Sequence, residues 1–287
     1  MAILVGLLAS VAYGAADFVG GVVSRRNNVF TVLLWGQFTG IALVLVGLPL
    51  LAKGPLTAET WLLGGAAGVA GVLGAAFLFR GLARGRMSVV APITAVLAAS
   101  LPVLFGLLTG ERPSTVTLVG VVVALTAIAL VSAAPEPGST REGRPGILSR
   151  AAADGVPEGL AAGLCFAVFF IFLDGVDDGA GLWPILAVRL SSMVIAGLVV
   201  LLGPGTSIPA PGTWLGVAAA GLIGTAADYL FVLGSTLGLL SVVVVLTSLY
   251  PVTTVVLART VLKERIARAQ LGGLLLAAVG VVLITVG

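Results

Sequence analysis

The residues Ser241 to Arg265, SVVVVLTSLYPVTTVVLARTVLKER, occur in this chain a second time in altered form. Ser88 to Arg112 reads SVVAPITAVLAASLPVLFGLLTGER: it opens on the same Ser-Val-Val, has a threonine at the matching place (Thr94, Thr247) and closes on the same Glu-Arg. Ser88 matches Ser241 and Glu111 matches Glu264 at one shift of 153 residues, with no gap. Each version runs apolar for roughly twenty residues, the length that crosses a ~30 Å hydrocarbon layer as a helix. The same shift lays Trp61 on Trp214, Gly68 on Gly221, Gly81 on Gly234 and Gly120 on Gly273. About a quarter of positions from Trp61 onward are identical under it, which marks duplication rather than shared apolar composition.

Composition sets the class. The chain is 59% hydrophobic and 9% charged, with mean hydropathy +1.20, whereas a soluble domain carries about 25% charged residues. The expectation is an all-α integral membrane protein with ten transmembrane helices, over residues 2–23, 30–52, 60–82, 88–109, 115–134, 157–175, 183–203, 212–236, 240–261 and 268–286. The first span lacks a basic leader and contains Asp17, so it is expected to stay in the mature protein rather than act as a signal peptide. Residues 1–134 form one five-span unit, 135–156 a polar linker rich in Pro, Gly and Arg, and 157–287 the second unit. An odd number of spans per unit makes the second enter the membrane from the opposite side, so the two units are expected to be inverted repeats. In secondary transporters of that design the substrate site lies near the midplane between the repeats, and access alternates.

Charge and residue types exclude several chemistries. The single cysteine cannot form an internal disulfide, and a chain without histidine lacks the commonest metal ligand. No cofactor or metal is expected, and the net charge of +3 comes from arginines in short loops rather than from a nucleic-acid-binding face. The loops after spans one, three, five and nine hold Arg25, Arg26, Arg84, Arg86, Arg141, Arg144, Arg150, Lys263, Arg265 and Arg268. By the positive-inside rule these are cytoplasmic, which puts both termini outside a cell or plasma membrane. Forty glycines, several at four-residue spacing as in Gly64, Gly68 and Gly71 with Ala67, suit close packing of helices in lipid; the same stripes suit either a monomer or a homodimer.

Three ionisable residues fall inside spans: Asp17, Arg189 and Asp228. A charge at the bilayer centre costs about 2.5–3.5 kcal/mol even on the most lenient scale, so such groups face a cavity or a partner. Span seven begins where span eight ends, and Arg189 and Asp228 each sit ~6 Å from the midplane at 1.5 Å per residue, so they are placed to pair. Two readings stand side by side: an ion pair that only locks two helices, or a pair facing a cavity where Arg189 takes a substrate carboxylate in its fork. For Asp17 the alternatives are an interfacial residue snorkelling to water and a desolvated carboxyl that carries a coupling proton. Tyr13 shares a face with Asp17, and Ser192 with Arg189. Trp35 and Gln37 in span two, Thr94 and Ser100 in span four, and Thr247, Ser248 and Tyr250 in span nine are further candidates to line the cavity, or else to bond helix to helix. Pro251 has no amide hydrogen for the Thr247 carbonyl, which predicts a bend in span nine.

The run Thr247-Ser-Leu-Tyr-Pro251-Val-Thr-Thr, followed by Lys263-Glu264-Arg265 and a glycine-rich last span, resembles the EamA-like family of the drug/metabolite transporter superfamily. The resemblance covers nearly the whole chain and implies a carrier of small metabolites, amino-acid-like or similar, working as an exporter. In the first half the position matching Pro251 is Ala98, and Pro102 follows one turn later. The first span, Tyr13-Gly-Ala-Ala-Asp17-Phe-Val-Gly20-Gly21-Val-Val-Ser-Arg25, is similar to that of small multidrug resistance transporters, which implies that Asp17 binds protons and substrate in competition.

Of the function classes open to such a chain, an enzyme would need a catalytic constellation that the spans lack, and a primary pump a phosphate-binding GxxxxGK[ST] loop. The reading is a secondary transporter of small molecules, proton-linked or exchange-type, working in the lipid bilayer. The alternatives are a cationic-drug/proton antiporter built on Asp17 and a non-transporting membrane scaffold.

Overall fold

A computed structural model describes residues 1–51, 57–84, 87–132, 155–203, 207–261 and 268–287. Nearly all of the linker expected at 135–156 lies outside the described residues, as do Lys263-Glu264-Arg265 and the loop arginines Arg86, Arg141, Arg144 and Arg150. The described residues are helical, without a strand: α1 (Ala2–Ser24), α2 (Val29–Leu51), α3 (Ala58–Arg84), α4 (Met87–Thr109), α5 (Thr115–Ser132), α6 (Val156–Asp174), α7 (Trp183–Leu202), α8 (Trp214–Ser235), α9 (Leu240–Thr247), α10 (Tyr250–Val261) and α11 (Arg268–Val286). Six of these, α1, α2, α3, α6, α7 and α8, are long and apolar enough to cross a membrane, and shorter apolar stretches lie at 93–109, 115–128, 240–254 and 271–284. Pro157 and Pro184 stand in the first turns of α6 and α7, where a missing amide hydrogen costs nothing.

Span nine is two helices rather than one. α9 ends at Thr247 and α10 begins at Tyr250, with Ser248 and Leu249 between them. The break sits where the absent amide hydrogen of Pro251 leaves the Thr247 carbonyl without its helical donor.

Lipid gives no hydrophobic drive between helices, so close approach at small residues sets the packing. α1 and α8 run antiparallel: a Cβ on Gly238 would lie 2.8 Å from Ala2, and one on Gly216 would meet Val23 at 2.5 Å. α3 and α6 repeat that relation, with Gly74 against Phe166 and Gly81 against Glu158. α2 and α8 run in the same sense, Gly36 on Gly221 and Gly40 on Thr225, as do α3 and α7, Gly64 on Pro184 and Gly68 on Val188. α4 runs with α6, Gly159 on Val90 and Gly163 on Leu97; α1 runs with α9 and α10, Gly6 on Leu246 and Gly14 on Tyr250. α5 and α11 form an antiparallel pair, Gly120 on Ile284 and Gly280 on Ala124. These registers put Ala2, Glu111, Ser241 and Gly287 at one end of the bundle, called here the Glu111 face, and Asn27, Arg80, Glu158 and Thr213 at the other, the Asn27 face. At the latter, Arg80 and Glu158 pair across α3 and α6 at 3.7 Å.

Gly68 and its neighbour Gly65 separate packing from propensity. A Cβ on Gly68 would run into Ser191 Oγ and the Val188 carbonyl with Val188 Cα at 2.8 Å, whereas one on Gly65 meets nothing within 4 Å. Gly68→Ala is expected to destabilise by about 1–3 kcal/mol through overpacking, and Gly65→Ala to stay within about 0.5 kcal/mol of wild type. Unfolding midpoints of the two variants in mixed micelles, side by side, check this.

Candidate functional site

A cavity of about 150 Å³ lies inside the bundle, walled by α1, α2, α3, α6, α7 and α8, with Ala98 of α4 and Tyr250 of α10. On α1, α2 and α3 its lining runs over Tyr13 to Gly20, Val32 to Gln37 and Gly71 to Phe79, from mid-helix toward the Asn27 face. Most of the wall is apolar and aromatic: Phe79, Phe166, Phe169 and Phe170 line it. Phe170 is held edge-on to Tyr13, ring centroids 6.1 Å apart, and backed by Phe231 at 4.6 Å.

Set into this wall is one polar network. Arg189 and Asp228 are 8% and 4% exposed. Arg189 Nη2 donates to Asp228 Oδ2 in a direct ion pair, and Nη1 donates to Gln37 Oε1 at 3.1 Å. The Tyr13 hydroxyl donates to the other carboxylate oxygen of Asp228 at 2.7 Å. Four helices, α1, α2, α7 and α8, are thereby tied at one point. Gly40 makes room for the arginine, because a Cβ there would come within 3.2 Å of Arg189 Cδ and collide with Thr225 Oγ1. Ser192, one turn beyond Arg189, donates to the Gly68 carbonyl at 2.8 Å and fixes α7 on α3.

Asp17 lies one turn along α1 from Tyr13 and lines the same cavity. It makes no hydrogen bond or ion pair with any described residue. Arg189 and Asp228 cancel in formal charge, which leaves Asp17 as the acid in the cavity wall that has no counter-charge among the described residues. Two donors of the same cavity lining are also unmatched among the described residues: Arg189 Nε and the Tyr250 hydroxyl are buried without partners.

The family follows from the whole chain. The model of the EamA-like transporter family matches residues 1–133 and again 155–286. The chain belongs to the EamA-like transporter family. It is thus a multi-pass membrane protein of a transporter family within the drug/metabolite transporter superfamily. A solved crystal structure, 20% identical over 99% of this chain and 98% of its own, superposes with a TM-score of 0.69 and shares the fold. No curated protein matches the sequence.

Among the sequence-derived candidates of this EamA-like protein, Tyr13, Asp17, Gln37, Arg189, Ser192, Asp228 and Tyr250 meet at the cavity, and Trp35, Thr94, Thr247 and Ser248 do not line it. Trp35 packs at the Asn27 face, its indole donating to the Ser207 carbonyl at 2.8 Å and its ring 4.8 Å from Trp214. Thr94 donates to the Val90 and Gly159 carbonyls and joins α4 to α6. Thr247 and Ser248 are fully buried at the break in span nine with their hydroxyls unpartnered. The phenylalanine walls were not among the candidates. For two of them, Phe166 and Phe170, the signal was the 153-residue shift carried into span one, which lays Tyr13 on Phe166 and Asp17 on Phe170.

Removing one partner of a buried ion pair leaves the other uncompensated, at about 3–5 kcal/mol. Arg189→Met is expected to destabilise the protein by that order, and Arg189→Met with Asp228→Leu to recover most of the loss. Denaturation midpoints of the two single variants and the double variant complete the cycle.

Proposed function

We propose that this EamA-like protein is a secondary active transporter that moves small amino-acid-like metabolites across the cell membrane by alternating access, in the export direction, with proton linkage or exchange. One observation carries the reading. Asp17, a carboxyl group unpaired among the described residues, and Arg189, whose Nε–H has no partner among them, line one cavity with aromatic walls. A zwitterion matches that pair: its ammonium meets Asp17, its carboxylate competes with Asp228 for Arg189, and its side chain lies against Phe79, Phe166 or Phe169. Most ligand sites share this design of apolar walls with a few placed polar groups.

The two halves, 1–134 and 157–287 joined by 135–156, act in this reading as inverted repeats. The double match of the family model supports it. So does the packing, in which exchanging each span with the one five places on turns α1 on α8 into α6 on α3, and α2 on α8 into α7 on α3. The arginine-rich Asn27 face is cytoplasmic and both termini are outside. Asp17, without a counter-charge among the described residues, favours a second reading, an organic-cation/proton antiporter, because a lone carboxyl group in a cavity with aromatic walls suits an ammonium group.

Flux into proteoliposomes under an imposed pH gradient tests these readings. A labelled aromatic or branched amino acid is expected to move, Arg189→Gln to abolish the movement, and Asp17→Asn to uncouple it from the gradient. Movement of a lipophilic cation alone, lost in Asp17→Asn and kept in Arg189→Gln, selects the antiporter. If no solute moves in either direction, the transport reading fails.

A further inference from the structure

α9 starts without a cap of its own. Leu239, the residue before it, offers no side-chain acceptor, although the first turn is buried, Leu240 at 3% and Ser241 at 0% exposed. Buried amide hydrogens at a helix start need acceptors from outside the helix. The Val242 and Val243 amides turn back on the Leu239 carbonyl, and the Ser241 amide is met from the other half of the chain: Glu111 Oε2 accepts from it at 3.1 Å, across 130 residues. A carboxylate there is also stabilised by the positive end of the helix dipole.

The segment around Glu111 is shaped to deliver that carboxylate. Gly110 has φ +112°, the left-handed turn that ends α4 after Thr109, and the Glu111 amide closes back on the Gly106 carbonyl at 2.9 Å. Gly106 leaves the space the carboxylate occupies, since a Cβ there would collide with Glu111 Oε2 and lie 2.7 Å from its Cδ. The adjacent Arg112 turns away, donating to the Leu107 and Glu111 carbonyls, so it does not neutralise the acid. The contact lies between the two helices whose sequences are duplicated. α4 packs on α9, the first half of span nine, and no comparable packing joins α4 to α10 among the described residues. Spans four and nine therefore meet at the Glu111 face and part beyond Ser248, while the cavity lining on α1, α2 and α3 runs toward the Asn27 face.

We propose that Glu111 is a positioning residue for transport: its carboxylate, capping α9 from the end of α4, is a clasp that holds the cavity shut at the Glu111 face, and it must release for the cavity to open there. The inference rests on the alternating-access reading, and it explains why glutamate closes the duplicated segment at Glu111. Ser241 donates through its backbone, so what the clasp requires of the sequence is the acid and the glycines at 106 and 110 that aim it.

The test reads conformation without a substrate. In a Cys165→Ser background, Ala75→Cys places a thiol on the cavity wall, and a membrane-impermeant maleimide is applied to sealed vesicles of either orientation. Labelling from the Glu111 face is expected to rise at least tenfold in Glu111→Ala and in Gly106→Ala, and less in Glu111→Gln, which keeps an acceptor oxygen but loses the charge. Labelling from the Asn27 face should fall in parallel. Hydrogen exchange of the peptide at 239–247 is expected to quicken in the same variants while the α5–α11 pair keeps its protection. Equal labelling from the Glu111 face in wild type, Glu111→Gln and Gly106→Ala overturns the clasp, and so does a general loss of protection that includes α5 and α11. If labelling shifts but no solute moves in proteoliposomes, the clasp stands and the transport reading falls.

Discussion

An arginine inside hydrocarbon needs a counter-charge and hydrogen-bond acceptors, and around Arg189 that need organises the neighbouring helices. Asp228 on α8 supplies the charge, Gln37 on α2 accepts the second nitrogen, and Tyr13 on α1 takes the carboxylate oxygen left over. None of these reaches the guanidinium unless α2 and α8 come close to α7. The close approach is provided by Gly36 on Gly221 and by Gly40 beside the arginine stem. The glycine contacts and the ion pair are thus parts of one solution: the first brings the backbones together and the second makes it unfavourable for them to separate.

How much of this was legible in the sequence depended on how rare each signal is in an apolar chain. Charged residues inside spans are rare, and depth arithmetic alone put Arg189 and Asp228 together. Proline within a span is rare too, and Pro251 marked the break between α9 and α10. Hydroxyls are common in membrane helices and can be satisfied by their own backbone one turn back. For that reason Thr94 was drawn to the Val90 carbonyl and the α4–α6 contact rather than to the cavity. Trp35 followed the interfacial preference of its amphipathic ring. Phenylalanine in a chain that is 59% hydrophobic carries no mark of its own: Phe166 and Phe170 could have been reached only through the internal shift, and Phe79 and Phe169 had no signal in the sequence.

The frame and the chemistry differ in symmetry. Under the proposed duplication the backbone packing is matched pair by pair, yet the polar groups are not: Asp17 falls on Phe170 and Ala75 on Asp228. Two like charges at exchanged positions would face each other across a narrow cavity, at a cost that rises as water is excluded. An asymmetric set lets one half offer an acid and a hydroxyl, the other a neutralised arginine, so that a substrate with two unlike ends has one preferred orientation.

Span nine joins that asymmetric site to the symmetric frame. Its first half, α9, is held between α1 and α4 at the Glu111 face, and its second half carries Tyr250 on the cavity wall. A continuous helix would transmit any displacement of α9 rigidly to Tyr250 and onward. The interruption at Ser248 and Leu249 falls at the level where three buried hydroxyls, Thr247, Ser248 and Tyr250, have no partner among the described residues. Unmatched hydroxyls at a break make the local structure less tightly determined than an unbroken helix would be. Under the alternating-access reading, a hinge at that break would let the end of the span change its neighbours while the cavity wall keeps its place.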